Sequence, residues 1–326
     1  MPQQTPADQP GSDRPGPGDT DPRTPPAAAP QTGEPQTGEP QAGEPQSGGG
    51  PGERIPDGWR EANRANWDER VPIHVASEFY SVDAFRAGRE VLRGHEIAEV
   101  GEVTGRSLLH LQCHFGQDTL AWARRGASRV VGLDFSEPAV ENARALAAEL
   151  GLGPDRAAFV AADVYDAVEA VPDRSYGIVY TGTGALNWLP DVERWAETAA
   201  ALVAPGGFLY LSEFHPVTDM LDDETGSRVV HDYFSPAAWV SEEPNTYTDS
   251  AATLANRRSV EWQHPIGEVV SALCAAGLRL EFLHEHDVSV FARFGNLVKE
   301  GEHHYRFPAD RPRVPLMYSL KATRPR

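Results

Sequence analysis

Cysteine is scarce in this 326-residue chain, and its two copies, Cys113 and Cys274, are far apart. That excludes a disulfide framework, and the expectation is two reduced, buried thiols in a cytoplasmic protein. No C-x-x-C, H-E-x-x-H or facial-triad spacing occurs among the eleven histidines, His284, His286, His303 and His304 included, so no metal site is expected. No stretch of about 20 apolar residues is present to span a bilayer, and no signal-like apolar core follows Met1. Positive charge is short as well: 29 Lys and Arg face 48 Asp and Glu, a formal charge of −19. A field of that sign repels phosphate backbones and anionic lipids, so neither nucleic acid nor membrane is an expected partner.

Residues 1–55 lack any aromatic side chain yet hold 13 of the 28 prolines, with a near-repeat at Gln31, Gln36 and Gln41. So little apolar area cannot offset the entropy of ordering, which predicts a disordered tail without a catalytic role. The remaining 56–326 are read as one domain.

The most informative stretch that is present runs over 108–136, LLHLQCHFGQDTLAWARRGASRVVGLDFS. It reads as a buried strand, a turn, a helix and a second buried strand closed by Asp134. A carboxylate at the end of a parallel strand sits at the ligand-binding edge of an open α/β sheet and can accept both hydroxyls of a ribose. The turn has neither G-x-x-x-x-G-K-[ST] nor G-x-G-x-x-G, and no basic residue to meet a phosphate. A cationic, phosphate-free adenosine derivative fits such a turn better than a nucleotide.

Over roughly residues 60–324 these features resemble the class I S-adenosylmethionine-dependent methyltransferases. Where that family usually has an acid and a G-x-G-x-G turn, this chain has His110, Gln112, His114 and Gly116. The resemblance implies that Gln112, His114, Gly116, Asp118 and Thr119 hold the methionine part of S-adenosylmethionine. It implies that Asp134, with Phe135 and Ser136, holds the ribose, and that Asp163 and the Val164 N–H meet the adenine. An aspartate before a helical stretch is equally a plain N-cap. Thr181, at the end of the fourth strand, would lie beneath the sulfonium, and Pro205, Gly206 and Gly207 make the turn into the fifth.

Strands are expected near 107–111, 129–133, 157–161, 176–180, 207–214, 278–285 and 314–323. Helices are expected near 57–68, 83–92, 117–125, 137–150, 191–203 and 265–276. This alternation predicts an α/β fold, a Rossmann-like, mostly parallel seven-stranded sheet with helices on both faces. The family topology would insert the last strand antiparallel beside the fifth. A cap near 215–263, between strand 5 and the following helix, is too long for a simple connection and rich in aromatic residues.

Methyl transfer needs alignment, exclusion of water and, for a hydroxyl or protonated amine, a base. Glu213 and His215 fall on one side of an extended chain at the catalytic edge, and an imidazole with a pKa near 6.5 suits a base. His215 can equally serve to hydrogen-bond the cap. His264 is a second candidate base. Trp67 and Tyr80, in the helical lead-in, would close over the cofactor and offer ring faces to the sulfonium. The expected activity is methyl transfer to nitrogen or oxygen of a small molecule. Methylation of protein or nucleic acid, and silent cofactor binding, stay open as alternatives.

Overall fold

Parallel strands are short apolar runs here because both faces of the sheet are covered. In a computed structural model describing residues 55–326, they form one seven-stranded sheet; the tail expected over 1–55 lies outside the described residues except for Ile55. In chain order the strands are β1 (Ser107–Leu111), β2 (Arg129–Asp134), β3 (Ala157–Ala161), β4 (Tyr176–Thr181), β5 (Val203–Phe214), β6 (Arg279–His286) and β7 (Met317–Thr323). Their spatial order is 3-2-1-4-5-7-6. Strands β1 to β5 pair in parallel, and β7 runs antiparallel between β5 and β6. The direction of winding reverses between β1 and β4, which opens a crevice beyond their carboxyl ends.

Among the described residues there are eight α-helices: α1 (Trp59–Ala76), α2 (Val82–Arg86), α3 (Gly94–Val100), α4 (Gln117–Arg124), α5 (Glu137–Glu149), α6 (Ala167–Ala170), α7 (Val192–Leu202) and α8 (Ile266–Ala275). The sequence signals the long ones through their caps. Ser136 accepts the Ala139 N–H and Pro138 stands in the first turn of α5, while Asp191 accepts the Arg194 N–H at the start of α7. One face of the sheet packs Leu109, Val131 and Leu209 against Trp195 of α7 and Leu273 of α8. The other packs Leu108, Val130 and Tyr180 against Trp122 of α4 and Val140 of α5. No described helix is long and apolar enough to cross a membrane.

The differences from expectation have local causes. The helix expected near 83–92 ends at Arg86, before Gly88, whose φ of 105° breaks it, and α3 starts separately. Helix α1 continues past residue 68 to Ala76, with Pro72 on its exposed side. Strand β5 begins at Val203, so the Pro205 to Gly207 turn lies within it as an irregularity of register. Cys113 is buried, but Cys274 is exposed, because α8 turns that position away from the sheet.

The connection from β5 to α8 folds as a cap containing an antiparallel pair, Trp239–Ser241 with Ser259–Glu261. Helix α1 holds it with polar side chains. Asn63 exchanges two hydrogen bonds with the Val260 backbone at 2.7 and 2.8 Å, Asn66 donates to Asn256 O, and Glu69 accepts the Ala255 and Asn256 N–H groups. The segment between β6 and β7 adds a hairpin, Val298–Gly301 with His304–Arg306. It reaches the lead-in through Arg89 to Glu302 and through His303 against Phe79.

Candidate active site

The turn leaving β1 keeps a glycine-like course without the glycines. Gln112 and His114 have φ of 58° and 50°, beside Gly116 at 75°. A non-glycine residue in this left-handed region costs about 1–2 kcal/mol. The turn is held by Cys113 N–H to Leu133 O at 2.9 Å, His114 N–H to Asp134 Oδ2 at 2.7 Å and Gln112 Nε2 to Ala185 O at 2.8 Å. At Gly116 no side chain fits, since a Cβ would stand 2.5 Å from the Phe159 ring and 2.9 Å from Ala143 Cβ.

Asp134 closes β2 as expected and also accepts the Ser136 N–H at 3.0 Å. Burial raises its pKa to about 6, against the pull of these backbone donors, so the carboxylate is ionised at neutral pH. Phe135 lies 6.0 Å from the Arg64 guanidinium, and Ser136 is spent capping α5.

His110 fills the place of the usual acid. It is buried, its Nδ1 is 2.8 Å from Thr119 Oγ1, and burial lowers its pKa to about 3, so it is neutral. The nearby acid is Asp118 in the first turn of α4. Its carboxylate makes no hydrogen bond or ion pair among the described residues and faces Gly182, where an added Cβ would lie 3.4 Å from His110 Nε2 and 3.9 Å from Asp118 Oδ2. Burial, then Glu96, raise its pKa to about 7, against Arg93.

On the adenine side, Asp163 N-caps a short turn through Tyr165 N–H at 2.9 Å and pairs with Arg60 of α1 at 2.7 Å. Val164 is buried behind it. At the end of β4, Thr181 is fully buried and its Oγ1 has no partner among the described residues. The same holds for Thr183 Oγ1, Asn187 Oδ1 and Gln112 Oε1. Buried polar atoms are mostly satisfied by partners, and these four stand among other unpartnered buried atoms elsewhere in the described residues; a polar ligand in the crevice would supply them. With the ionised Asp134 beside it, the crevice fits an adenosine bearing an amino-acid group.

The three expected bases are all engaged elsewhere. Glu213 is buried, and its carboxylate accepts the N–H groups of Gly184, Ala185, Leu186 and Phe214 at 2.6–3.0 Å, fixing the loop after β4. His215 receives the Val217 N–H on Nδ1 at 3.1 Å, which leaves Nε2–H to donate to Glu285 at 3.0 Å. His264 donates Nε2–H to Leu189 O at 2.7 Å. Spacing along β5 gives the side on which Glu213 and His215 fall; it carries no information on these partners.

Trp67 and Tyr80 pack against the turn. The Trp67 ring lies 5.3 Å from His114 and 5.2 Å from Trp188, while Tyr80 packs on Phe115 at 4.8 Å and pairs its hydroxyl with that of Tyr247 in the cap. Sequence reasoning missed Arg70, Asn187 and Trp188 as neighbours of this turn; His74 was expected in the lead-in and Tyr247 among the aromatic residues of the cap. Asn63, Asn66, Arg70 and His74 are spaced three to four residues apart on one face of α1 and are all buried, which the spacing alone does not show.

Residues 108–207 match the family model described as a methyltransferase domain. The fold is similar to that of a protein from Listeria monocytogenes described as an S-adenosylmethionine-dependent methyltransferase. The two are 17% identical, with 71% of this chain and 96% of that one covered and a TM-score of 0.50. It is also similar to the CcbJ methyltransferase from Streptomyces caelestis at 16% identity, covering 81% and 99% of the two chains with a TM-score of 0.51. No curated protein matches the chain.

Proposed function

We propose that this chain is a class I S-adenosylmethionine-dependent methyltransferase that transfers the methyl group of S-adenosylmethionine to a nitrogen or oxygen of a small molecule. The observation that supports the reading is the aromatic group packed beside the turn after β1: Trp67 of α1 against His114 and Trp188, and Tyr80 paired with Tyr247 of the cap. An aromatic-lined site with a few convergent polar atoms suits a small acceptor. The formal charge of −19 works against a nucleic-acid acceptor.

S-adenosylmethionine supplies a methyl group on a sulfonium that is already a good leaving group, so the protein gains by alignment and by excluding water. Asp134 would accept the ribose hydroxyls while keeping the His114 N–H. Asp163 would meet the adenine amino group with the lone pairs that Tyr165 and Arg60 leave free. Asp118 would take the place of the acid that His110 replaces and meet the ammonium of the methionine part. Glu213 acts through the backbone, by holding Gly184 to Leu186 at the edge where the acceptor must enter. With Glu213, His215 and His264 all engaged, the reading favours an acceptor that arrives as a neutral amine or a readily ionised hydroxyl.

The test is incubation with methyl-labelled S-adenosylmethionine and a metabolite extract of the source cells, read by mass spectrometry. A labelled small molecule that disappears with Asp134→Ala is expected. Label found only on protein or RNA would overturn the small-molecule reading.

A further inference from the structure

We propose that Arg70 forms the subsite that recognises the acceptor, by receiving a carboxylate carried by the small molecule to be methylated. The proposal rests on the methyltransferase reading above and adds the substrate class to it.

Arg70 lies in the middle of α1 with 8% of its surface exposed. It forms no ion pair or hydrogen bond among the described residues, and its Nε is buried without a partner. A buried, unpaired guanidinium is costly, and natural interiors nearly always supply it with a carboxylate. The acid that acts on it most is Glu261 in the cap, which is beyond ion-pair distance and accepts Asn187 Nδ2 at 2.7 Å. The fork of donors is therefore uncommitted.

Its surroundings set the guanidinium beside the loop after β4 and the cap. The guanidinium carbon lies 5.2 Å from the Trp67 ring centre and 5.7 Å from that of Trp188, so two indoles hold it in place. Trp188 and Asn187 belong to the loop after β4, and Glu261 to the cap; Asn187 Oδ1 is another buried atom without a partner. Trp67 touches both Arg70 and His114, so the guanidinium stands one ring removed from the cofactor turn. A planar fork of this kind matches a carboxylate through two parallel hydrogen bonds.

The test is calorimetry on the full chain saturated with S-adenosylhomocysteine. Benzoate, phenylacetate and 4-hydroxyphenylacetate are titrated in, each against its primary amide. At least one acid is expected to bind about tenfold or more tightly than its amide, the worth of a charge-assisted pair. Arg70→Met should abolish that preference, and Arg70→Lys, which keeps the charge without the fork, should retain part of it. If Arg70→Met does not fold, the loss in Arg70→Lys carries the test. No acid preferred over its amide, or a preference surviving in both variants, overturns the proposal.

A second arm separates the source of the carboxylate. If Arg70→Met weakens S-adenosylhomocysteine about tenfold but leaves 5′-methylthioadenosine, which lacks the amino-acid part, unchanged, Arg70 serves the cofactor and the proposal fails. Absence of S-adenosylhomocysteine binding in the wild type instead removes the methyltransferase reading, and the acceptor subsite with it.

Discussion

Nδ1 of His74 lies 3.0 Å from Nε2 of His114, so one imidazole donates to the other and α1 is fastened to the turn after β1. On its other side His74 Nε2 meets Thr246 Oγ1 at 2.7 Å, next to the Tyr247 that pairs with Tyr80. Lead-in helix, turn and cap thus share one polar seam. Burial keeps its imidazoles neutral: the pKa of His74 falls to about 2 and that of His114 to about 3, each lowered further by Arg70.

Neutral buried histidines make the fold acid-sensitive. The unfolded chain protonates His74 and His110 near pH 6.5, whereas the folded chain resists until about 2 and about 3. Stability is therefore lost as pH falls below 6.5, by up to about 1.4 kcal/mol per pH unit for each fully buried ring. The raised carboxyls of Asp118 and Asp134 act in the opposite sense, so the informative quantity is the difference from a variant. Thermal melts of His74→Gln and His110→Asn between pH 4 and 7 should show a shallower loss than the wild type. Parallel curves would contradict the burial of these rings.

Glu213 separates a positioning role from a catalytic one. Glu213→Gln removes the charge that four backbone N–H groups share and turns part of the acceptor into a donor; hydrogen bonds to charged groups are worth about 1.5–3 kcal/mol each. A melting temperature lowered by several degrees is expected, with reduced activity and an unchanged pH–rate profile. A lost limb in that profile with stability intact would return Glu213 to the role of base.

Asp118 should make cofactor binding pH-dependent. Its carboxyl, raised to about 7, must be ionised to meet an ammonium, so affinity for S-adenosylhomocysteine should fall as pH drops below 7, by at most about tenfold per unit. Asp118→Asn should bind more weakly at pH 8 and lose that slope. Because burial disfavours its charge, the same variant should melt no lower than the wild type. A retained slope would place the titration elsewhere.

Gly116→Ala should fail for steric reasons. With φ at 75° and the Phe159 ring 2.5 Å from a new Cβ, the turn or β3 must shift, which costs about 1–3 kcal/mol or more. Loss of cofactor binding measured by calorimetry is expected. Wild-type affinity would mean that the turn is softer than its packing indicates.

The sheet was legible because its strands are buried on both faces: β1 and β2 each carry an apolar run, Leu108-Leu109 and Val130 to Leu133, and Ser136, Pro138 and Asp191 announce the helices between them. Asp134 was legible by its place at a strand end. The face of α1 was not, because Asn63, Asn66, Arg70 and His74 are buried through hydrogen bonds and rings, and a buried polar stripe resembles a solvated one in sequence. Gln112 and His114 were legible as departures from glycine, while their retained positive φ needed coordinates. The engagement of His215 by Glu285 comes from two strands that meet only in the folded sheet, by way of β7.

The most direct test of the account is a calorimetric titration of the full chain with S-adenosylhomocysteine, alongside Asp134→Ala and Asp118→Asn. One-to-one binding by the wild type is expected, weakened about tenfold or more in each variant by removal of a charge-assisted contact. No binding by the wild type, or equal binding by all three proteins, would contradict it.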